Sequence, residues 1–185
     1  MIQAELGSFY YRTKKTVLGQ ITIIWEAAPS FKVKRILLPS YSGYLNVKYL
    51  EITPSTTKVV EDLAEDISGF LEGEDRYFDI GILDLDSCSM FQRKVLHAEY
   101  RIPRGWVSTY GRIAKHIGST DAARAVGRAL ATNPFPLVIP CHRAVRSNGE
   151  LGGYQGGEEM KKRLLKMEGI RFTVSGRVLL DKVCY

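Results

Sequence analysis

A cysteine at the end of a proline-rich apolar run constrains this chain more than any other feature. Three prolines stiffen the approach to it, because the proline ring fixes φ and removes a backbone N–H donor: Pro134, Pro136 and Pro140. His142 and Arg143 follow Cys141 directly, so two potential cations adjoin the thiol. Such neighbours depress the pKa of a thiol, and the run therefore predicts a nucleophilic thiolate. The alternative is a structural cysteine, since free cysteines are among the most buried residue types.

Charge is divided unevenly between the two halves of the chain. Residues 1–85 hold 9 Lys and Arg against 12 Asp and Glu, whereas residues 86–185 hold 17 against 8. This asymmetry indicates that the second half meets a polyanion; the alternative is a generally basic surface. A length of 185 residues allows one large domain or two small ones, and we place the boundary in the acidic stretch 79–86.

The three cysteines are odd in number and far apart, which argues for a reducing compartment and against a disulfide framework. The sequence contains neither an apolar run of membrane-spanning length nor the features of a signal peptide, so we expect a cytoplasmic protein, or a nuclear one in a eukaryote. Because the three histidines and three cysteines lack tight ligand spacing, we expect no metal site. Nothing in the sequence indicates another cofactor.

The first half has the pattern of a small sheet followed by a helix. Strands are predicted over residues 8–12, 17–26 and 31–38, with a loop over residues 41–49. The residues 54–57 open a helix whose apolar residues recur at helical spacing, and Gly73 is positioned to cap it. We find no constellation for catalysis in this half.

Three helices are predicted between the boundary and the cysteine. Capping residues place their starts, in order, at Ser87 or Ser89, at Ser108 or Thr109, and at Ser119 or Thr120. The second and third helices are short and joined by a glycine-containing turn, which is typical of a helix-turn-helix.

The third of these helices carries an arginine face. Arg124 and Arg128 lie one turn apart and are predicted to point outward, while Ala122 and Ala125 keep the exposed face low. Such a helix can approach a nucleic-acid groove closely; tight packing through the alanines is the alternative. The charge asymmetry and the cysteine run favour DNA. Asn133 then stops the helix and has an amide available for its own turn.

A glycine-rich loop, residues 146–157, follows the cysteine and could close over a base. The next helix begins at Glu158-Glu159 and places Glu168 in its last turn, where the helix dipole disfavours a carboxylate. This placement predicts a partner for Glu168 elsewhere in the fold. Residues 170–185 are predicted to form a hairpin around residues 175–176.

Cys141, His142 and Glu168 have the chemistry of a nucleophile, a base and an orienting group. If the segment is extended, the side chains of Cys141 and His142 point to opposite faces, and a bridging water is the easier geometry. We expect Glu168 to hold one tautomer of His142, which takes the thiol proton through water.

Motifs in a fixed order carry a family resemblance. They are Val107–Tyr110, Asp121–Gly127, Asn133-Pro134, Pro140–Arg143, Gly152–Gly157 and Lys166–Gly169. Over residues 88–172 the chain resembles the O6-alkylguanine-DNA alkyltransferases, which move an alkyl group from guanine to a cysteine. The resemblance implies an α+β fold: a small ribonuclease H-like sheet-plus-helix domain over residues 1–85 and a winged helix-turn-helix domain over residues 86–185. Some members carry zinc in the N-terminal part, but residues 1–85 here contain neither Cys nor His.

The resemblance also implies a role for each site residue. The thiolate of Cys141 attacks the alkyl carbon on O6 after the base is flipped from the duplex, acts once and stops. His142 and Glu168 activate it, and Asn133 is a hinge that bonds near it. Tyr110 donates a proton to the leaving base, and Lys161 assists this step. The backbone at Ala144 recognises the exocyclic amine, Tyr154 forms a wall of the pocket, and a backbone amide near Gln155, where serine is usual, bonds to O6. Arg124 fills the gap that the flipped base leaves in the stack.

Three alternatives remain open from the sequence. A cysteine hydrolase would need a distant base such as His97 or His116, which lack a supporting motif. A non-catalytic DNA-damage binder of the alkyltransferase-like kind would lack the cysteine, and a winged-helix regulator would read DNA sequence. Activity on O4-alkylthymine, the alkyl range and cooperative assembly of a monomer on DNA are also left open.

Overall fold

The computed structural model describes residues 9–39 and 52–185. A four-stranded sheet forms the N-terminal part, from β1 (Phe9–Thr16), β2 (Gly19–Glu26), β3 (Lys32–Leu37) and β4 (Ile52–Pro54). The spatial order is β3-β2-β1-β4, with β4 parallel to β1 and the other pairs antiparallel. The loop predicted over residues 41–49 lies outside the described residues.

The first strand ends four residues later, and the second begins two residues later, than the sequence predicts. β1 continues to Thr16, and Val17-Leu18 form the turn instead of opening β2. Gly19 makes this possible because it adopts a φ of 111°, and the hydroxyl of Thr16 donates to its carbonyl at 2.6 Å. Ile21, Ile23 and Trp25 of β2 share one core with α1 (Lys58–Leu71), whose first turn is capped by Thr57 as the sequence predicts.

The second part is mainly helical. It contains α2 (Met90–Tyr100), α3 (Tyr110–His116), α4 (Ala123–Ala131) and α5 (Gly157–Met167), with a short parallel pair between β5 (Ser108–Thr109) and β6 (Ala144–Val145). Ser89 and Thr109 cap α2 and α3, in agreement with the prediction. No helix in the described ranges is long and apolar enough to cross a membrane.

The prediction that Ser119 or Thr120 caps the next helix is wrong. The backbone N–H of Ser119 bonds to the carbonyl of Ala114 at 2.8 Å and closes α3, with Gly118 at a φ of 75°. A further turn brings the N–H of Ala122 to the carbonyl of Ser119, so α4 begins after Ala122 without a side-chain cap. The serine that resembles an N-cap in sequence therefore belongs to the end of the previous helix.

The two parts share a continuous apolar core. One cluster of buried side chains runs from the sheet through α1 and α2 to the residues before Cys141. The N–H of Ile36 on β3 also donates to the carbonyl of Pro134 at 2.8 Å. The sheet thus supports the segment that carries the cysteine. The C-terminal residues form a turn at residues 173–177, with one bridge between Phe172 and Val178, and then run beside Val107.

Candidate active site

The segment that carries the cysteine is a turn and not an extended strand. Cys141–Arg143 form a single 3₁₀ turn after Pro140, and the N–H of Arg143 bonds to the carbonyl of Pro140 at 2.8 Å. Only Ala144 and Val145 continue as a strand, β6. Opposite facing of Cys141 and His142 is expected only for an extended backbone, and this segment does not meet that condition.

The thiol of Cys141 is nearly enclosed, with 4% of the residue exposed. The Nδ2 amide of Asn133 donates to Sγ at 3.2 Å and to the carbonyl of Ile139 at 3.0 Å, while its Oδ1 accepts from the N–H of Phe135 at 2.9 Å. All of these bonds fix the amide, so one donor always points at the sulfur. Asn133 therefore links the end of α4 to Cys141.

The prediction of a depressed thiol pKa is wrong for the free protein. Burial raises the pKa of Cys141 to about 12, and the bond from Asn133 offsets only part of this effect. The adjacent histidine supplies no cation, because burial lowers the pKa of His142 despite its carboxylate partner. The resting site therefore holds a protonated thiol.

Glu168 has the partners that its unfavourable helix position predicts. Its Oε1 lies 2.9 Å from Nε2 of His142 and 2.7 Å from Nη2 of Arg143, and its Oε2 accepts from Nε of Arg143 at 2.9 Å. Burial raises the pKa of Glu168, but His142 and Arg143 outweigh it and bring the pKa to about 2. Because the carboxylate is ionised, Nε2 of His142 carries the proton and Nδ1 is the free base.

Nδ1 of His142 is buried and has no hydrogen-bond partner among the residues that the structure describes. The second partner of Glu168, Arg143, was not predicted from the sequence. Arg143 also donates from Nη1 to the carbonyl of Ile102 at 2.6 Å, so it anchors the carboxylate to the end of α2. The adjacency of Arg143 to the predicted base was the available signal.

Lys161 projects from α5 into the site and is fully buried. Its ammonium donates to the carbonyls of Ala144 and Leu151, both at 2.6 Å, and to that of Gly153 at 3.4 Å. Burial lowers its pKa to about 8. Lys161 thus ties the glycine-rich loop to the strand after the cysteine, and its three donors are all engaged.

Tyr110 is the first residue of α3, and its hydroxyl faces the glycine-rich loop. A Cβ atom on Gly152 would lie 2.5 Å from that hydroxyl, so the loop needs glycine at this point. Nζ of Lys161 lies 5.9 Å from the centre of the Tyr110 ring. Burial, with Glu99 and Cys141 adding to it, raises the pKa of Tyr110 to about 12.

Two further loop residues lie close to the cysteine segment. The side chain of Gln155 donates from Nε2 to the backbone carbonyl of Asn133 at 2.6 Å, so it joins the loop to the residue that follows α4. The ring of Tyr154 lies 6.3 Å from that of His142, at an interplanar angle of 82°. Its buried hydroxyl has no hydrogen-bond partner within the described part of the chain.

α4 presents the predicted arginine face. Arg124 and Arg128 are exposed, Ala122 and Ala125 are half-buried, and the opposite face packs into the core through Val126, Ala129 and Leu130. Within residues 9–39 and 52–185, no three His, Cys, Asp or Glu side chains come together as a metal site.

One buried acid was not predicted from the sequence. Glu99 lies on α2 with 0% exposure. It is buried because its position four residues after Val95 places it on the apolar face of that helix. That spacing was the signal that could have identified it.

The chain is similar to known proteins along most of its length. Residues 90–170 match the family described as 6-O-methylguanine DNA methyltransferase, DNA binding domain. A methylated-DNA–protein-cysteine methyltransferase of Methanothermobacter thermautotrophicus is 45% identical over 135 residues, covering 73% of this chain and 72% of that protein. One from Mycobacterium tuberculosis is 34% identical over 170 residues, covering 88% and 93%.

Solved structures are similar in fold. The crystal structure of Mycobacterium tuberculosis OGT in complex with DNA superposes with a TM-score of 0.72 at 32% identity, covering 86% of this chain and 92% of that one. The O6-methylguanine-DNA methyltransferase from Pyrococcus kodakaraensis has a TM-score of 0.66 at 24% identity, covering 88% and 99%, and supports the fold alone.

Proposed function

The chain belongs to the methylated-DNA–protein-cysteine methyltransferase family, and on this premise we propose that Cys141 is the acceptor of the alkyl group. The protein repairs DNA directly, by transfer of an alkyl group from O6-alkylguanine to cysteine. Two observations carry the assignment of Cys141: Asn133 donates to its sulfur, and the adjacent His142 is held by Glu168.

The transfer begins with removal of the thiol proton. Nδ1 of His142 accepts it through a bridging water, and the ionised Glu168 stabilises the resulting imidazolium. The thiolate then attacks the alkyl carbon in line. The bond from sulfur to carbon forms as the bond from carbon to O6 breaks, and the electron pair stays with guanine. The thioether is not hydrolysed, so each molecule acts once.

The leaving base must be neutralised. Tyr110 is placed to donate its hydroxyl proton to guanine, and the proton that His142 gained balances this loss, so the charge of the protein is unchanged. Lys161 assists indirectly, because its bonds to the carbonyls of Ala144 and Leu151 hold in place the backbone that recognises the exocyclic amine. Tyr154 walls the pocket, and Gln155 keeps the loop against Asn133 while its backbone remains available to O6.

The finer fold assignment is part of this proposal. The β3-β2-β1-β4 sheet with α1 supports a ribonuclease H-like domain over residues 1–85. The pair α3 and α4 supports a winged helix-turn-helix over residues 86–185. In this arrangement α4 enters a groove of DNA. The small side chains of Ala122 and Ala125 allow the helix to approach the DNA closely, and the exposed Arg124 and Arg128 point towards the DNA.

Intact and peptide mass spectrometry tests the proposal. After incubation with a duplex oligonucleotide that contains O6-methylguanine, we expect one added methyl group on the peptide with Cys141 and at most one per protein molecule. A hydrolase or a sequence-reading regulator would gain no mass. Methylation of Cys88 or Cys184 in its place would contradict the assignment of Cys141.

Replacing Arg124 with alanine tests base flipping. The extruded base leaves a gap in the stack that this side chain fills, at a flipping cost of a few kcal/mol. We expect repair of a duplex to slow by about 10- to 100-fold, which corresponds to roughly 1.4–2.7 kcal/mol. Reaction with the free O6-alkylguanine base should stay within about twofold of the unchanged protein, because no duplex is opened. Arg163→Ala, on the exposed side of α5, is the control. Equal slowing on both substrates would remove this role from Arg124.

A further inference from the structure

Glu99 is a buried acid that the transfer steps above do not use. Its side chain is fully enclosed on α2, which packs against the turn Cys141–Arg143. Neither carboxyl oxygen has a hydrogen bond of standard geometry among the described residues, although the backbone N–H of Ala144 lies close enough to lower the pKa of the group. A buried carboxyl without such partners costs stability, so packing alone does not account for a glutamate at this position.

Several titratable or charged groups on the surrounding elements interact electrostatically with this carboxyl. They are Tyr110 on α3, Cys141 and Arg143 in the turn, Lys161 on α5, Glu168 at the end of α5, and Tyr185 in the C-terminal segment. Lys161 does not form an ion pair with Glu99, because the carbonyls of Ala144, Leu151 and Gly153 take its donors. A buried acid and a buried amine thus share one cluster without a direct bond.

The enclosure of Glu99 favours its uncharged form. Burial raises the pKa of Glu99 to about 8, although Lys161, Arg143 and the N–H of Ala144 act in the other direction. At neutral pH the group is therefore mostly the protonated acid. Its ionisation would place a negative charge beside the cysteine.

That charge has a defined effect on the nucleophile. An ionised Glu99 raises the pKa of Cys141, and this effect is larger than the lowering by Lys161. It also raises the pKa of Tyr110 and so opposes loss of the Tyr110 proton. Both groups that must become anionic during transfer are disfavoured by the same carboxylate.

We propose that Glu99 is a positioning residue of the transfer site that acts through Cys141: its neutral acid permits the thiolate, and its carboxylate suppresses it. The inference rests on the proposed function of Cys141. It assigns to α2 a part in the chemistry, because an ionised Glu99 opposes the effect of Lys161 at the sulfur and a neutral Glu99 does not.

The pH dependence of alkylation by iodoacetamide tests this coupling without DNA. We expect the thiol of Glu99→Gln to titrate about one pH unit below that of the unchanged protein, so that its alkylation at pH 9 is up to about tenfold faster. Below pH 7 the two rates should agree within about twofold, since both side chains are then neutral. Glu99→Asp retains a carboxyl and should restore the slow reaction at pH 9. Identical titration of Glu99→Gln and the unchanged protein would overturn the proposal.

Thermal unfolding separates this role from a structural one. The pKa of Glu99 in the folded protein lies above its value in the unfolded chain. Burial of Glu99 therefore costs no free energy of unfolding through this shift at low pH, and the cost grows as pH rises towards about 8. Glu99→Gln should therefore raise Tm by several degrees at pH 8 and by less at pH 5. A lower Tm at both pH values, with an unchanged thiol, would show a merely structural glutamate.

If Glu99→Gln does not fold, the unchanged protein gives the answer by ¹³C NMR of labelled glutamate. A carboxyl resonance that titrates near pH 8 supports the proposal, and titration of every glutamate below pH 6.5 overturns it. Because iodoacetamide needs no alkylated base, a failure of DNA repair by Cys141 would be seen separately in the mass spectra.

Discussion

Cys141→Ser should abolish alkyl transfer, with a rate at least about 10³-fold below that of the unchanged protein. Serine replaces sulfur with an oxygen whose ionisation is far less favourable, and His142 is a neutral base in a buried site. The remaining contacts are retained, because the hydroxyl can still accept from Asn133. The measurement is the methyl content of the protein after incubation with O6-methylguanine duplex.

This substitution should leave binding to DNA intact. α4, with Arg124 and Arg128, is unchanged, and the phosphate contacts that dominate affinity do not involve the cysteine. Cys88→Ser and Cys184→Ser are matched controls that retain full transfer. Residual single-turnover methylation in Cys141→Ser would assign the reaction to another residue.

Glu168→Gln should impair both chemistry and stability. The amide no longer offers a carboxylate to stabilise the imidazolium of His142, and the loss of such assistance slows transfer by about 10²–10⁴-fold. It also leaves the guanidinium of Arg143 buried without its anion. Removal of one partner of a buried pair costs about 3–5 kcal/mol of the free energy of unfolding. Urea denaturation at pH 7 measures this loss, with Glu159→Gln on the exposed start of α5 as control.

The stability loss should depend on pH with a defined sign. The folded pKa of Glu168 is about 2, below the unfolded value of 4.5. Its contribution, about 3 kcal/mol, is therefore present above pH 4.5 and lost as pH falls towards 2. The difference between Glu168→Gln and the unchanged protein should shrink over this interval. A difference that is constant from pH 7 to pH 3 would mean that packing, and not charge, dominates.

The elements could be predicted largely because their causes are local. Thr57, Ser89 and Thr109 cap helices with bonds inside one turn, and β2 is rich in β-branched and apolar residues that favour a strand. Ser119 shows the limit of such reasoning. Its side chain suits a cap, but its backbone is used to end α3, and only the path of the chain beyond Gly118 decides between the two.

In the site, too, some features could be predicted from the sequence and others required the tertiary structure. The misplaced charge of Glu168 predicted a distant partner, yet Arg143 as the second partner and the carbonyl bonds of Lys161 required the folded chain. The family resemblance is confirmed by the similar proteins, and the α+β class by similar structures.

The sequence by itself determined the order of the elements, the basic second half and the residues that can serve as nucleophile, base and orienting carboxylate. The tertiary structure decided their protonation states: a thiol that holds its proton, a neutral imidazole, an ionised Glu168 and a neutral Glu99. The physical reason is that composition and spacing identify a chemical group, whereas its charge depends on burial and on partners far away in the chain.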